Sequence, residues 1–414
     1  MLTFWENNLL EEVKKKSECK NTITIFRMLL IILVAGPLLG QFLPTTIIGV
    51  IQLLAVITIL YKTFIMYKLH QLLVFTGYKK LLYVLLSFIT AGIILRGDWS
   101  ISSFNSFFLM VINGKTLCFL FPLVLLVLPT YKYIIQISEL FYHVTLLTLV
   151  LWLISPSPLI TEPGVAESIG AYLPFFAFFS MAFSKSNNKR NIIMWGIIAI
   201  YLVLMLLNAR RNMAFSLIGF SFALYYANYI NGFKNKLKKV LSVLFLILVV
   251  LCIYSNIQFL ATGVFAEFTE RLTIDSRTGY NEMLLADFAT SPLTDWIFGR
   301  GMSGDFYLPW NDVEGISHDF RNGIETGYLN MLLKGGLVYI FVVVSYMLTA
   351  MKLVMKKNIF LFFSILIFSV DMYSTCSINN MSSKMILFWL VINLSYSLSC
   401  LDKSVKNELE QINK

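Results

Sequence analysis

The sequence predicts an all-α membrane protein that crosses the bilayer about twelve times and carries one long helical loop on its outer side. Three observations predict this class. The first is composition: of 414 residues, 57% are hydrophobic and 14% charged, with a mean hydropathy of +0.74. A soluble domain carries about 25% charged residues and stops enlarging its core beyond about 250–300 residues. A soluble enzyme, a disordered chain and a disulfide scaffold are therefore excluded. The second is the recurrence of apolar runs of membrane-spanning length, about 20 residues, without charge at their centres. The third is a single long interval, 255–334, that holds 11 of the 23 acidic residues but only 5 of the 33 basic ones.

Taken in order, the apolar segments lie at 22–40, 44–61, 81–95, 116–130, 136–154, 170–184, 191–208, 213–230, 240–254, 331–350, 358–371 and 385–400. The stretch 104–115 reads as an interfacial helix or as part of the fourth span. With the amino end in the cytoplasm, the inside segments hold 22 Lys and Arg, the outside segments 10, and Arg27 lies within the first span. Cytoplasmic loops collect positive residues, so both termini are expected to be cytoplasmic. The first apolar run leads directly into the second without a small-residue cleavage site, and it is not expected to be a cleaved leader. The chain thus divides into a bundle over 1–254, an outward loop with amphipathic helices over 255–334, and further spans with a cytoplasmic tail over 335–414. Cys19, Cys118, Cys252, Cys376 and Cys400 have no metal-ligand spacing.

Within the loop, 279–289 reads as an amphipathic helix that Ser291-Pro292 ends. A turn-rich stretch over 299–313 follows, and a second helix is expected to begin near 317 and run into the tenth span. Gly299 to Gly304 spell GxGxxG, but the strand and helix of a dinucleotide fold are missing. These glycines are expected to make a tight turn, or to bring backbone amides close to a ligand.

Candidate functional residues gather on the outer side. Arg210 and Arg211 sit at the outer end of the seventh span against the positive-inside bias, where guanidiniums either grip an anion or snorkel to lipid headgroups. On the expected helix, steps of three and four place His318, Arg321, Glu325 and Tyr328 on one face, either as a converging base, cation and carboxylate or as an exposed ion pair. Arg277 and Arg300 add cations, with ordinary salt bridges as the alternative. Trp296 and Trp310 lie in the same interval, and Trp at a membrane rim is commonly an anchor. There is no DxD pair, HExxH, GxSxG or P-loop, so no metal and no cofactor is expected. Glu139 and His143 at i,i+4 in the fifth span, with Asp371 at the end of the eleventh, keep a transporter in play.

Taken together, Arg210-Arg211, Ser276-Arg277, Ser291-Pro292-Leu293, Gly299-Arg300-Gly301 and the closing run from Glu325-Thr326-Gly327-Tyr328-Leu329 to Gly335-Gly336-Leu337 resemble the Wzy-type O-antigen polymerases. The resemblance extends more distantly to the O-antigen ligases of the same superfamily. In the ligases a His opens the closing motif where Glu325 stands here, which favours polymerase over ligase. The resemblance implies a GT-C-like helical fold in the bacterial inner membrane, with its active site on the periplasmic side. The implied reaction transfers a growing glycan from undecaprenyl pyrophosphate to a new lipid-linked repeat unit. The alternatives are a ligase that transfers glycan to the lipid A core, and a transporter or flippase of the glycan lipid. Arg210, Arg211, Arg277 and Arg321 would then hold the pyrophosphate without a metal, and Glu325, or else His318, would be the base. Arg300, Tyr328, Trp296 and Trp310 would contact the glycan. The implied partners are lipid-linked donor and acceptor, membrane lipids, and a chain-length regulator and flippase; nucleic acid is not among them.

Overall fold

The computed structural model describes residues 2–34, 45–99, 116–154, 173–183, 188–207, 211–230, 278–308, 312–313, 316–317, 320–375 and 382–398. The described residues are mostly helical, as an all-α chain requires, with four two-residue strands among them. Its bundle helices are α1 (Leu2–Val34), α2 (Thr45–Lys68), α3 (Gly77–Leu95), α4 (Leu117–Val127), α5 (Ile134–Ile154), α6 (Leu173–Phe183), α7 (Asn188–Leu207) and α8 (Arg211–Tyr225). Two shorter helices follow, α9 (Thr278–Ala289) and α10 (Leu293–Phe298), and then α11 (Gly327–Val354), α12 (Ile359–Ser374) and α13 (Ser383–Ser397). Helices occupy eleven of the twelve expected segments, and the ninth, 240–254, lies outside the described residues.

Among the described residues, three helices are long and apolar enough to cross a membrane: Ile47–Lys68, Gly77–Leu95 and Gly327–Val354. A fourth is reached if Leu117–Val127 and Thr130–Leu147, bent by 79°, form one span. The bend has a local cause. Leu128 precedes Pro129 and is extended (φ −72°, ψ 140°), as the proline ring requires of its neighbour. The carbonyls stranded at that helix end find a donor in Asn393, whose Nδ2 reaches Leu125 O, Leu126 O and Leu128 O at 2.9, 2.7 and 3.0 Å. Aromatic rings fill the core between helices, with Phe178 stacked on Phe220 at 5.7 Å and Phe220 edge-on to Phe368 at 5.2 Å. Outward faces carry Leu54, Phe64, Phe88 and Leu348, large apolar side chains left exposed as a lipid-facing surface would have them.

Residues 278–308 and 320–326 form a cap with its own small core: Leu284, Phe288, Phe306, Leu308 and Ile324 pack against Leu332 and Leu333 at the start of α11. The helix expected over 279–289 is α9. The helix expected near 317 is not formed. Strand β1 (Phe306–Tyr307) pairs antiparallel with β4 (Phe320–Arg321), and β2 (Asp312–Val313) with β3 (Ile316–Ser317). Gly323 at φ 142° and the extended Thr326 (φ −67°, ψ 115°) then keep the chain out of helix until Gly327. The i,i+3 and i,i+4 spacing was compatible with a helix, but the cross-strand pairing with β1 buries Phe306 and prevails.

Candidate functional site

The GxGxxG segment clasps the cap to the bundle through its backbone. Its amides are turned to protein carbonyls: Arg300 N donates to Leu333 O at 2.7 Å, Gly301 N to Lys334 O at 3.0 Å and Met302 N to Ile93 O at 2.9 Å. Leu333 and Lys334 end the first turns of α11, which breaks at Gly336 (φ 69°, ψ −170°), so the clasp supplies donors to carbonyls that the break would leave bare. A side chain at Gly336 would strike Ile297 O, and one at Gly299 would strike the Gly335 and Gly336 amides. Of the two expected uses, a tight turn or amides close to a ligand, the amides of Gly299, Arg300, Gly301, Met302 and Gly304 serve the first, each engaged by a protein carbonyl.

Two arginines and a lysine complete the clasp. Arg96, just past α3, donates through Nη1 to Gly299 O at 2.6 Å and through Nη2 to Phe298 O, capping α10. Burial pulls its pKa below the ordinary arginine range, an effect that the Asp295 carboxylate opposes. Arg300 meets Asp287 Oδ2 at 2.5 Å, Asp295 Oδ2 at 3.1 Å, Ser291 Oγ at 2.5 Å and Asp305 O at 2.6 Å, with its guanidinium over Phe288. Every guanidinium nitrogen of Arg300 is engaged within the cap, so its geometry is that of a scaffold residue. Lys334, buried in α11, donates to Met302 O, Gly304 O and Asn322 Oδ1 at 3.0, 2.7 and 2.6 Å. Neither Arg96 nor Lys334 stands out in the sequence, because most of their partners are backbone carbonyls.

The other expected site residues are dispersed differently from the helical face. Arg321 pairs across the ribbon with Phe306, and its guanidinium lies 4.6 Å from the ring centre of Tyr280 on α9. Glu325 is exposed in the turn before α11. Tyr328, in the first turn of α11, donates to Ser369 O at 3.1 Å. Trp296 is engaged inside the cap, with Nε1 donating to Phe288 O at 2.8 Å and its ring edge-on to Phe288 at 5.4 Å. His318, Arg210, Arg277 and Trp310 lie outside the described residues; Arg211 opens α8.

These elements meet at one end of α12. On one flank α8 runs away from Arg211, with Ser216 Oγ donating to Asp371 Oδ1 at 2.7 Å. On the other flank Gly327 packs so closely on Met372 O and Thr375 O that a Cβ there would overlap them. Between them Lys384, from the start of α13, holds Asp371 Oδ1 at 2.7 Å, with side-chain exposures of 6% and 3%. Thr375 Oγ1 donates to Asp371 Oδ2 at 2.7 Å, and Lys384 lies 5.2 Å from the Phe175 ring centre. Glu139 and His143 are exposed side chains one turn apart on α5. Among the described residues, no three His, Cys, Asp or Glu side chains come together as a metal would need.

Comparison of the chain with protein-family models, curated proteins and solved structures returns no match.

Proposed function

We propose that this protein is a metal-independent, GT-C-like glycosyltransferase with about twelve spans that polymerises undecaprenyl-pyrophosphate-linked repeat units at the periplasmic face of the inner membrane. The glycan leaves its lipid pyrophosphate and is transferred to the non-reducing end of a new lipid-linked unit. One juxtaposition carries the reading: α8, which opens at Arg211, and the segment Glu325-Thr326-Gly327-Tyr328 flank the same end of α12. A departing pyrophosphate needs fixed positive charge and an attacking hydroxyl needs a base, and those groups must converge. In this reading Arg210 and Arg211 hold the pyrophosphate and Glu325 takes the proton. Arg277 and Arg321 extend the cationic rim, with His318 the second choice of base. The sugar-facing aromatic surface is assigned to Tyr307 and Phe320, cross-strand partners that are 45% and 57% exposed with ring centres 5.8 Å apart. Trp296, engaged within the cap, is assigned to structure.

The test is reconstitution of the purified protein with lipid-linked repeat units. A ladder of longer products is expected. Transbilayer movement of the substrate without a ladder would overturn the enzyme in favour of a flippase, the second reading, which the buried Asp371–Lys384 pair favours because charges inside membrane bundles commonly mark transport pathways.

A further inference from the structure

The buried charges at the end of α12 have no part in the chemistry just proposed, yet they lie between the two elements that do. We infer that Asp371 and Lys384 are positioning residues that couple the arginine-bearing helix α8 to the Glu325-Thr326-Gly327 turn, fixing cation and base relative to each other. This inference rests on the polymerase reading for its functional consequence, while the coupling itself is a property of the structure.

The route is continuous. Ser216 on α8 and Lys384 on α13 both bond Asp371 Oδ1, and Lys384 Nζ lies 3.3 Å from Ser216 Oγ. Asp371 Oδ2 accepts from Thr375 Oγ1, and the Thr375 amide donates to Asp371 O at 2.8 Å, so the carboxylate and the end of α12 move as one. The Thr375 and Met372 carbonyls are the surface on which Gly327 rests. Three helices, α8, α12 and α13, therefore meet at one carboxylate while α11 rests on the carbonyls beside it, and any slip of α8 along α12 must break a bond to it. A greasier contact would hold the helices together equally well. Replacing a buried ion pair by apolar residues of similar volume is commonly neutral or stabilising, so a charged pair in an apolar bundle is weakly explained by stability. A carboxylate with three side-chain donors specifies direction and register, which van der Waals packing among leucines and phenylalanines leaves loose.

The double variant Asp371→Asn with Lys384→Met removes both charges without leaving one unpaired. Spin labels at Phe215→Cys, an exposed residue on α8, and at Glu325→Cys, with the native cysteines replaced, read the distance between the two elements by pulsed electron resonance. Extension is measured separately, with Glu325 intact. A single narrow distance is expected in the doubly labelled background that keeps Asp371 and Lys384. The double variant is expected to melt near the wild type, to broaden that distance, and to lower kcat for extension by about tenfold to a hundredfold with KM little changed. A narrow distance and full extension in a well-folded double variant would overturn the inference, as would a broad distance in the wild-type background. If the double variant does not fold, Ser216→Ala and Thr375→Val keep the ion pair and cut its links, and an unchanged narrow distance in both would overturn the inference. Absence of a product ladder from the wild type would remove the polymerase reading alone, because the distance still decides the coupling.

Discussion

Arg300 and Asp287 meet at 2.5 Å inside the cap, and the same guanidinium reaches Asp295, Ser291 and Asp305 O while lying on Phe288. One side chain thus ties α9, α10 and the turn before β1 together. Arg300→Ala would leave two part-buried carboxylates without their cation. It is expected to destabilise the cap by about 2–3 kcal/mol. Limited proteolysis or hydrogen exchange over 278–308 would show the opening; a raised KM with an unchanged exchange pattern would instead assign Arg300 to the glycan.

Gly336 breaks α11 at φ 69° against Ile297, opposite Gly299 at φ 70°. Gly336→Ala adds about 1–3 kcal/mol of strain in a backbone region essentially confined to glycine, and a steric overlap with backbone that cannot turn aside. The expected result is a lower Tm in detergent and release of the cap, whereas Gly196→Ala, in open space on α7, should leave Tm unchanged or raised.

Glu325→Gln keeps the shape of the turn and removes the base. Chain extension should fall by about a hundredfold or more while membrane insertion and Tm stay at wild-type values. Extension at the wild-type rate would sink the base assignment alone and return attention to His318.

Phe320→Ala should raise KM for the lipid-linked unit several-fold with kcat near wild type, and Phe320→Tyr should restore it, because a sugar's C–H face needs only an aromatic plane. Tyr307→Ala should behave alike, since the two rings face the same side of the ribbon. An equal loss in Phe320→Tyr would argue against stacking.

Arg211→Ala should weaken use of the lipid pyrophosphate, seen as slower extension that added substrate partly rescues. Loss through misfolding would instead appear in Tm.

Helix positions were legible because long apolar runs leave a backbone few ways to satisfy its polar groups except with itself. The clasp was legible only as a suspicion: GxGxxG marks close backbone approach, but to what is decided by Leu333, Lys334 and Ile93, distant in the chain. Arg321, Glu325 and Tyr328 do not share a helical face, because a period of three to four is also compatible with a strand, a turn and a helix start in succession. Asp371 was visible as an acid at a helix end, and its partnership with Lys384 was hidden behind a twelve-residue gap.

Eleven of the twelve apolar segments, the helix over 279–289 and the interval that carries the cap could be placed from sequence alone, because burial of apolar surface and charge placement are properties of local runs. Only the tertiary structure decided which arginines are committed to scaffolding, which aromatics remain exposed, and that α8 and the Glu325 turn flank one end of α12. Those outcomes depend on which distant donor the packing brings to a given acceptor, and hydrogen bonds to backbone carbonyls leave no mark in the identity of the residue that accepts them.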